Sequence, residues 1–160
     1  MAQNRGKNFE EVIRTAFNKV PDTSVVRLPD PVQGYLGIRN HCDFIVYHKP
    51  YEYHIECKSI HGNTFPFSNI TKNQWNGLLE KSYIDGVIAG VIIWWVDKDV
   101  TKFIPIDVLA WLDAMGHKSI RFDRDSYEGE MIISIKGKKK RVFFDYDMEQ
   151  FFKEVYECQK

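Results

Sequence analysis

The chain carries no excess charge of either sign: 22 Lys and Arg offset 22 Asp and Glu. A strong overall field that gathers polyanions is thereby excluded, and any contact with phosphate must come from local clusters. A long apolar run is also missing. The richest stretch, Gly86 to Val96, is too short to cross a bilayer as a helix, so no membrane association is expected. Met1 to Lys7 is polar and basic and lacks the apolar centre of an export signal, which points to a cytoplasmic protein. Cysteine is scarce and odd in number. Cys42, Cys57 and Cys158 match no metal-finger spacing and read as reduced thiols. Internal repeats, low-complexity tracts and interdomain linkers are absent.

What is there is core material. With 44% hydrophobic and 14% aromatic residues, the chain has enough to build one domain spanning residues 1–160. Phe9, Val12, Ile13, Ala16, Phe17 and Val20 recur at helical spacing, which predicts a helix over about Lys7–Val20 that Pro21 ends. Ser24 to Leu28 predicts a short strand, and a loop from Pro29 to Asn40 follows. Cys42–Tyr47 and Tyr51–Lys58 predict a hairpin turning at His48-Lys49-Pro50. Its second strand alternates. Glu52, His54, Glu56 and Lys58 make a polar face, and Tyr53, Ile55 and Cys57 an apolar one that can pack on a helix.

A second helix is expected from Thr71, where Thr71 and Gln74 have capping-box spacing and Ile70 with Trp75 could staple the start. Trp75, Leu78, Leu79, Ser82 and Tyr83 form its expected inner face, and Asp85-Gly86 stops it. Val87–Val96 reads as a strand buried on both faces. Val100–Ile106 is a further strand after a turn at Asp97-Lys98-Asp99. Asp107 is expected to cap a short helix through Met115. Met131–Ile135 and Arg141–Phe144 predict a hairpin, and Met148–Tyr156 a last helix. This order indicates an α/β domain, a central mixed sheet flanked by helices.

Asp43 begins one hairpin strand and Glu56 lies near the end of the next, so pairing brings the two carboxylates together. Lys58, two residues on, projects from the same face. Two carboxylates and an ammonium suit metal-assisted phosphodiester hydrolysis: hard oxygens for Mg²⁺, and a cation for water or phosphate. The backbone carbonyl of Cys57 lies between Glu56 and Lys58 and is a further candidate ligand. Glu10 sits at the edge of the first helix's apolar face and can look toward this cleft, whereas Glu11 points away. A favourable dipole contact in the first turn explains Glu10 equally. Likewise, Glu56 and Lys58 alone would read as solvent-facing charges on a half-exposed strand.

Taken together, these residues resemble a known family. Asn4 to Glu11, with Arg5-Gly6 and Glu10, is similar to the helix start of RecU-type Holliday-junction resolvases, and archaeal junction resolvases share its character. Asp43 followed by Glu56-Cys57-Lys58 resembles their D…ExK core, the mark of PD-(D/E)xK nucleases. Phe65-Pro66-Phe67-Ser68-Asn69 with Gln74 is similar to the RecU FPxxN…Q segment, and Lys118-Ser119-Ile120-Arg121 to a later KSIR stretch. The resemblance implies a restriction-endonuclease-like core and a Mg²⁺-dependent endonuclease, with Mn²⁺ able to substitute. It also implies branched DNA as substrate and a homodimer, because symmetric resolution needs two cuts.

Carried over to this sequence, the resemblance implies Asp43 and Glu56 as metal ligands and Lys58 as the group that positions water and stabilises the transition state. Glu10 would complete the acidic site, and Gln74 would line the cleft beside its capping role. Two departures stand out. Only Pro29 to Cys42 is available for the long stalk that RecU proteins insert into the junction, and His41 stands where they carry Thr. Expected phosphate contacts are Arg5 and Lys7, Arg39 and His41 on the loop, and Lys138, Lys139, Lys140 and Arg141. The last four also read as a solvated turn around Gly137, and His41 as an incidental loop histidine. Tyr35 is a further loop candidate for touching nucleic acid. Two alternatives remain: a nuclease of the same fold acting on other DNA shapes, and a catalytically silent nucleic-acid-binding protein.

Overall fold

The computed structural model describes residues 5–30, 40–126 and 129–160. The apolar periodicity of the first segment produces α1 (Arg5–Asn18), which buries Phe9, Ile13, Ala16 and Phe17. It begins before Lys7 and ends before Val20, which is nonetheless buried. Then come β1 (Thr23–Arg27), β2 (Phe44–His48), β3 (Tyr51–Ile60) and β4 (Thr64–Pro66). A single 3₁₀ turn, Phe67–Asn69, leads into α2 (Lys72–Ser82) and β5 (Val87–Trp95). The chain continues through β6 (Val100–Pro105), α3 (Ile106–Ala114), β7 (Ser119–Arg121), β8 (Ile133–Ser134), β9 (Gly137–Lys139), β10 (Phe144–Tyr146) and α4 (Met148–Gln159).

Six strands form the central sheet in the order β1-β2-β3-β5-β6-β8. β3 and β5 run parallel, and the other neighbours are antiparallel. A parallel pair needs a crossover, and the segment carrying β4 and α2 supplies it. The sheet is apolar on both sides. On one side Phe9, Phe17, Tyr53, Ile55, Trp94, Phe103 and Phe151 join residues of α1, β3, β5, β6 and α4 in one core. On the other, Leu78, Val91, Ile93, Trp95, Ile104 and Leu109 form a second core with α2 and α3. Trp94 and Trp95 are adjacent in β5 and therefore point into different cores, both at most 1% exposed. The expected α/β architecture, a central mixed sheet flanked by helices, is the one observed.

Four local expectations are corrected. Residues Met131–Ile135 do not form a hairpin with Arg141–Phe144. Ile133 instead pairs with Phe103 of β6, and β9 pairs with β10. Lys138 and Lys139 are thus strand residues, and Gly137 is no turn: a side chain there would collide with the Asp145 carbonyl of the neighbouring strand. Asp107 lies inside α3, where it accepts from the Val108 amide at 3.0 Å, and Pro105 occupies the cap position. Tyr83 is 76% exposed and belongs to no inner face, because α2 has ended at Ser82. The polar face of β3 is also less exposed than expected: His54 and Glu56 are buried. β3 is an interior strand, and α2 and residues 40–42 cover that face.

Candidate active site

The site forms where β2 stops alongside β3. Asp43 immediately precedes β2 and continues its pairing: its amide donates to the Ile55 carbonyl and its own carbonyl accepts from Leu28, each at 2.9 Å. These bonds fix the backbone and free the carboxylate to reach past the strand end. Asp43 Oδ2 accepts from the Cys57 amide at 2.8 Å. In an extended strand the N–H and C=O of one residue point to the same edge. The Cys57 carbonyl therefore also faces the edge that Asp43 occupies, while the Cys57 side chain packs in the core with α1 and α4.

Glu56 projects from the opposite face of β3 to Cys57, under α2. Its Oε1 accepts from Gln74 Nε2 at 3.0 Å and lies 3.4 Å from Lys58 Nζ. Gln74 serves two roles at once. Its Oε1 accepts from the Thr71 amide at 3.0 Å while Thr71 Oγ1 accepts from the Gln74 amide, completing the capping box. The cap therefore orients the amide, leaving Nε2 free to donate to Glu56.

Glu10 reaches the same place from α1. Its side chain is 22% exposed, its Oε2 lies 3.4 Å from Arg27 Nη2, and its charge helps raise the Asp43 carboxyl. Glu11 is 56% exposed and pairs with Arg14 at 2.6 Å. The helix begins at Arg5, so Glu10 lies beyond the first turn, where the dipole contact would have required it.

Electrostatically the site holds more negative charge than it can solvate. Burial pushes the Asp43 carboxyl up to about 7, against the Cys57 amide and Lys58, which pull it down, while Glu10 adds to the rise. Burial and then the Asp43 charge push Glu56 up to about 8, with Lys58 opposing. Nearby thiols feel the same field. Burial first, then Glu56 and Asp43, raises Cys42 to about 12, and Cys57 is raised by the same causes. One buried and two partly buried carboxylates with one ammonium are a donor set that suits a hard divalent cation.

Neither family models nor curated proteins match this chain. Among solved structures it is similar to Hjc of Archaeoglobus fulgidus, a Holliday junction resolvase from an archaeal hyperthermophile. The identity is 16% and the TM-score 0.48, over 64% of this chain and 78% of that one.

Some of the basic residues expected to touch phosphate already have partners. Arg5 Nη1 lies 2.6 Å from His61 Nε2, and His61 in turn contacts Asp97 at 3.0 Å. Lys7 is exposed on α1. Lys139 pairs with Asp99 at 2.6 Å, and the Lys140 amide donates to the Phe143 carbonyl. Lys138 and Arg141 are exposed beside them. Arg39 and Tyr35 lie outside the described residues. His41 is half-buried, its ring stacked on His54 with centroids 4.9 Å apart. Burial, then His54 and Lys81, lowers its pKa. Its Nε2 lies 2.7 Å from His54 Nδ1, and α2 closes over it: a side chain at Gly77 would overlap the His41 Cβ.

Two neighbours of the site were not assigned a role from the sequence. His54 had a signal, as a polar residue on the same strand face as Glu56. Arg27 had none, because its contact with Glu10 depends on how α1 packs against β1.

Proposed function

We propose that the chain is a Mg²⁺-dependent, structure-selective DNA endonuclease that resolves four-way junctions by paired phosphodiester hydrolysis, acting as a homodimer. The observation that carries this reading is the convergence of Asp43, Glu56 and Lys58 at one strand end, joined by Glu10 from one face of the sheet and Gln74 from the other. Carboxylates whose ionisation burial disfavours would be met by a divalent cation, with Asp43 and Glu56 as ligands and the Cys57 carbonyl as a third. When bound, the cation offsets charge on the scissile phosphate and acidifies water.

The chain's own groups supply the rest. Lys58, held 3.4 Å from Glu56, donates toward the attacking water or the phosphate oxygens as their charge rises. Gln74 fixes the Glu56 carboxylate and so the direction of its free oxygen. The Cys57 amide does the same for Asp43 through the 2.8 Å bond. Glu10, anchored by Arg27, adds a third carboxylate at the cleft edge. The burial of Glu56 and its α2 partner argue against a solvent-facing ornament on a half-exposed strand.

The experiment compares a four-way junction with linear duplex in Mg²⁺ at matched salt. The expected result is tighter binding to the junction and paired, symmetric nicks near its branch. Equal cleavage of both substrates would reject junction resolution and leave a nuclease of broader substrate range. Binding without any cleavage would support the silent alternative.

A further inference from the structure

Beside the carboxylates lies a second cluster of different chemistry. A ring nitrogen of His41, Cys42 Sγ and a ring nitrogen of His54 all fall within 4.8 Å of one another. We propose that these three residues form a separate metal site for a borderline-soft divalent ion of the zinc class. It would pin the segment before Asp43 to β3.

The argument starts with His54, which is 3% exposed. Its Nε2 lies 2.7 Å from Glu52 Oε1. A carboxylate only accepts, so Nε2 carries a proton, and in the neutral ring Nδ1 is left bare. That arrangement, a carboxylate behind an imidazole, is how metal-binding histidines are oriented and made more basic. The bare Nδ1 points at His41 Nε2, 2.7 Å away, and a proton on the His41 nitrogen bridges the two rings. Cys42 is 3% exposed, and its thiol donates to the Phe44 carbonyl at 3.3 Å. Two nitrogens and a sulfur prefer zinc-class ions, whereas the oxygens of Asp43 and Glu56 prefer magnesium, so the two sites sort their ions by donor type.

Seating the ion requires small movements. Zinc bonds of about 2.0–2.1 Å to nitrogen and about 2.3 Å to sulfur place tetrahedral ligand atoms roughly 3.3–3.6 Å apart. The imidazoles must part by roughly half an ångström and Sγ draw in by roughly one. The protons balance: Cys42 releases its proton to solvent, and His41 keeps one, moved to Nδ1. The spacing matches no metal finger because His41 and Cys42 are adjacent while His54 comes from across the hairpin. Sequence spacing alone therefore concealed the site.

The test titrates Zn²⁺, then Co²⁺, into the purified full chain freed of transition metals, with Mg²⁺ in excess. The expected result is one tightly bound Zn²⁺ and, with Co²⁺, a thiolate-to-metal charge-transfer band. Both should survive in the Asp43→Asn, Glu56→Gln double variant. Cys42→Ser, nearly the same shape as the thiol, should abolish the band, and Glu52→Gln should weaken Zn²⁺ at least about tenfold. No stoichiometric uptake by the wild-type chain would overturn the proposal. So would uptake undiminished by Cys42→Ser, or uptake lost in the carboxylate double variant. The readout is independent of DNA cleavage, so it stands or falls apart from the nuclease reading.

Discussion

Glu10 and Glu11 are neighbours on one helix, and their surroundings separate them. Glu10 is partly covered, held near Arg27 and close enough to Asp43 for its charge to raise that carboxyl, whereas Glu11 sits in solvent with Arg14. Glu10→Gln should reduce cleavage by about tenfold or more with little change in Tm, and Glu11→Gln should be near neutral, since an exposed ion pair contributes little. Steady-state nicking rates and thermal melts of the two variants decide the point; equal losses would remove Glu10 from the site. Asp43 and Glu56 make a further prediction through linkage. Their folded pKa values of about 7 and about 8 lie above the ordinary carboxylate range, with burial the largest cause. Between about pH 4 and pH 8 the unfolded chain has released protons that the folded one retains, so these groups make metal-free stability fall as pH rises. A divalent cation favours the ionised pair. Mg²⁺ should therefore raise Tm more at about pH 8 than at about pH 5.5, and Glu56→Gln should shrink that difference. Equal Mg²⁺ shifts at both pH values would contradict the carboxylate assignment.

At the scale of elements, α2 matters most because it links the fold to the site through Gln74. Gln74→Glu should preserve the capping box, since glutamate serves the same position, but it removes the donor to Glu56 and adds like charge. Melting temperature should hold while cleavage falls at least about tenfold. Unchanged cleavage in the folded variant would restrict Gln74 to capping. This element was legible in advance: Thr71 and Gln74 have the spacing, and the structure closes the box. The inner face of α1 and the doubly buried β5 were legible for the same reason, since periodicity reports burial directly. What was hidden depends on long-range pairing. Lys138 and Lys139 read as a turn because Gly137 suggested one, but the strand is set by contact with β10, and that glycine serves a close backbone approach. The burial of His54 and Glu56 was equally hidden, because it depends on α2 folding over β3. His41 read as a loop residue until the packing of Gly77 and His54 enclosed it.

At the scale of the whole molecule, two cores back a mixed sheet, and the candidate chemistry sits where one strand ends early. No helix among the described residues is long and apolar enough to cross a membrane. Zero net charge means that the proposed selectivity for branched DNA would have to come from local positive groups rather than bulk attraction. Several of the described basic residues are already paired with acids, as Lys139 is with Asp99. Arg39→Ala therefore remains the sharper test of junction binding by the segment between β1 and β2, and should weaken binding to the junction without altering Mg²⁺ dependence. The most direct measurement of the central claim follows Mg²⁺-dependent strand cleavage of a four-way junction by wild-type protein, Asp43→Asn, Glu56→Gln and Lys58→Ala, each checked for folding. The account predicts cutting by the wild type that excess chelator stops, and rates at least about 100-fold lower in each variant with junction binding retained. Wild-type cleavage by folded Lys58→Ala or Glu56→Gln, or full activity in excess chelator, would contradict it.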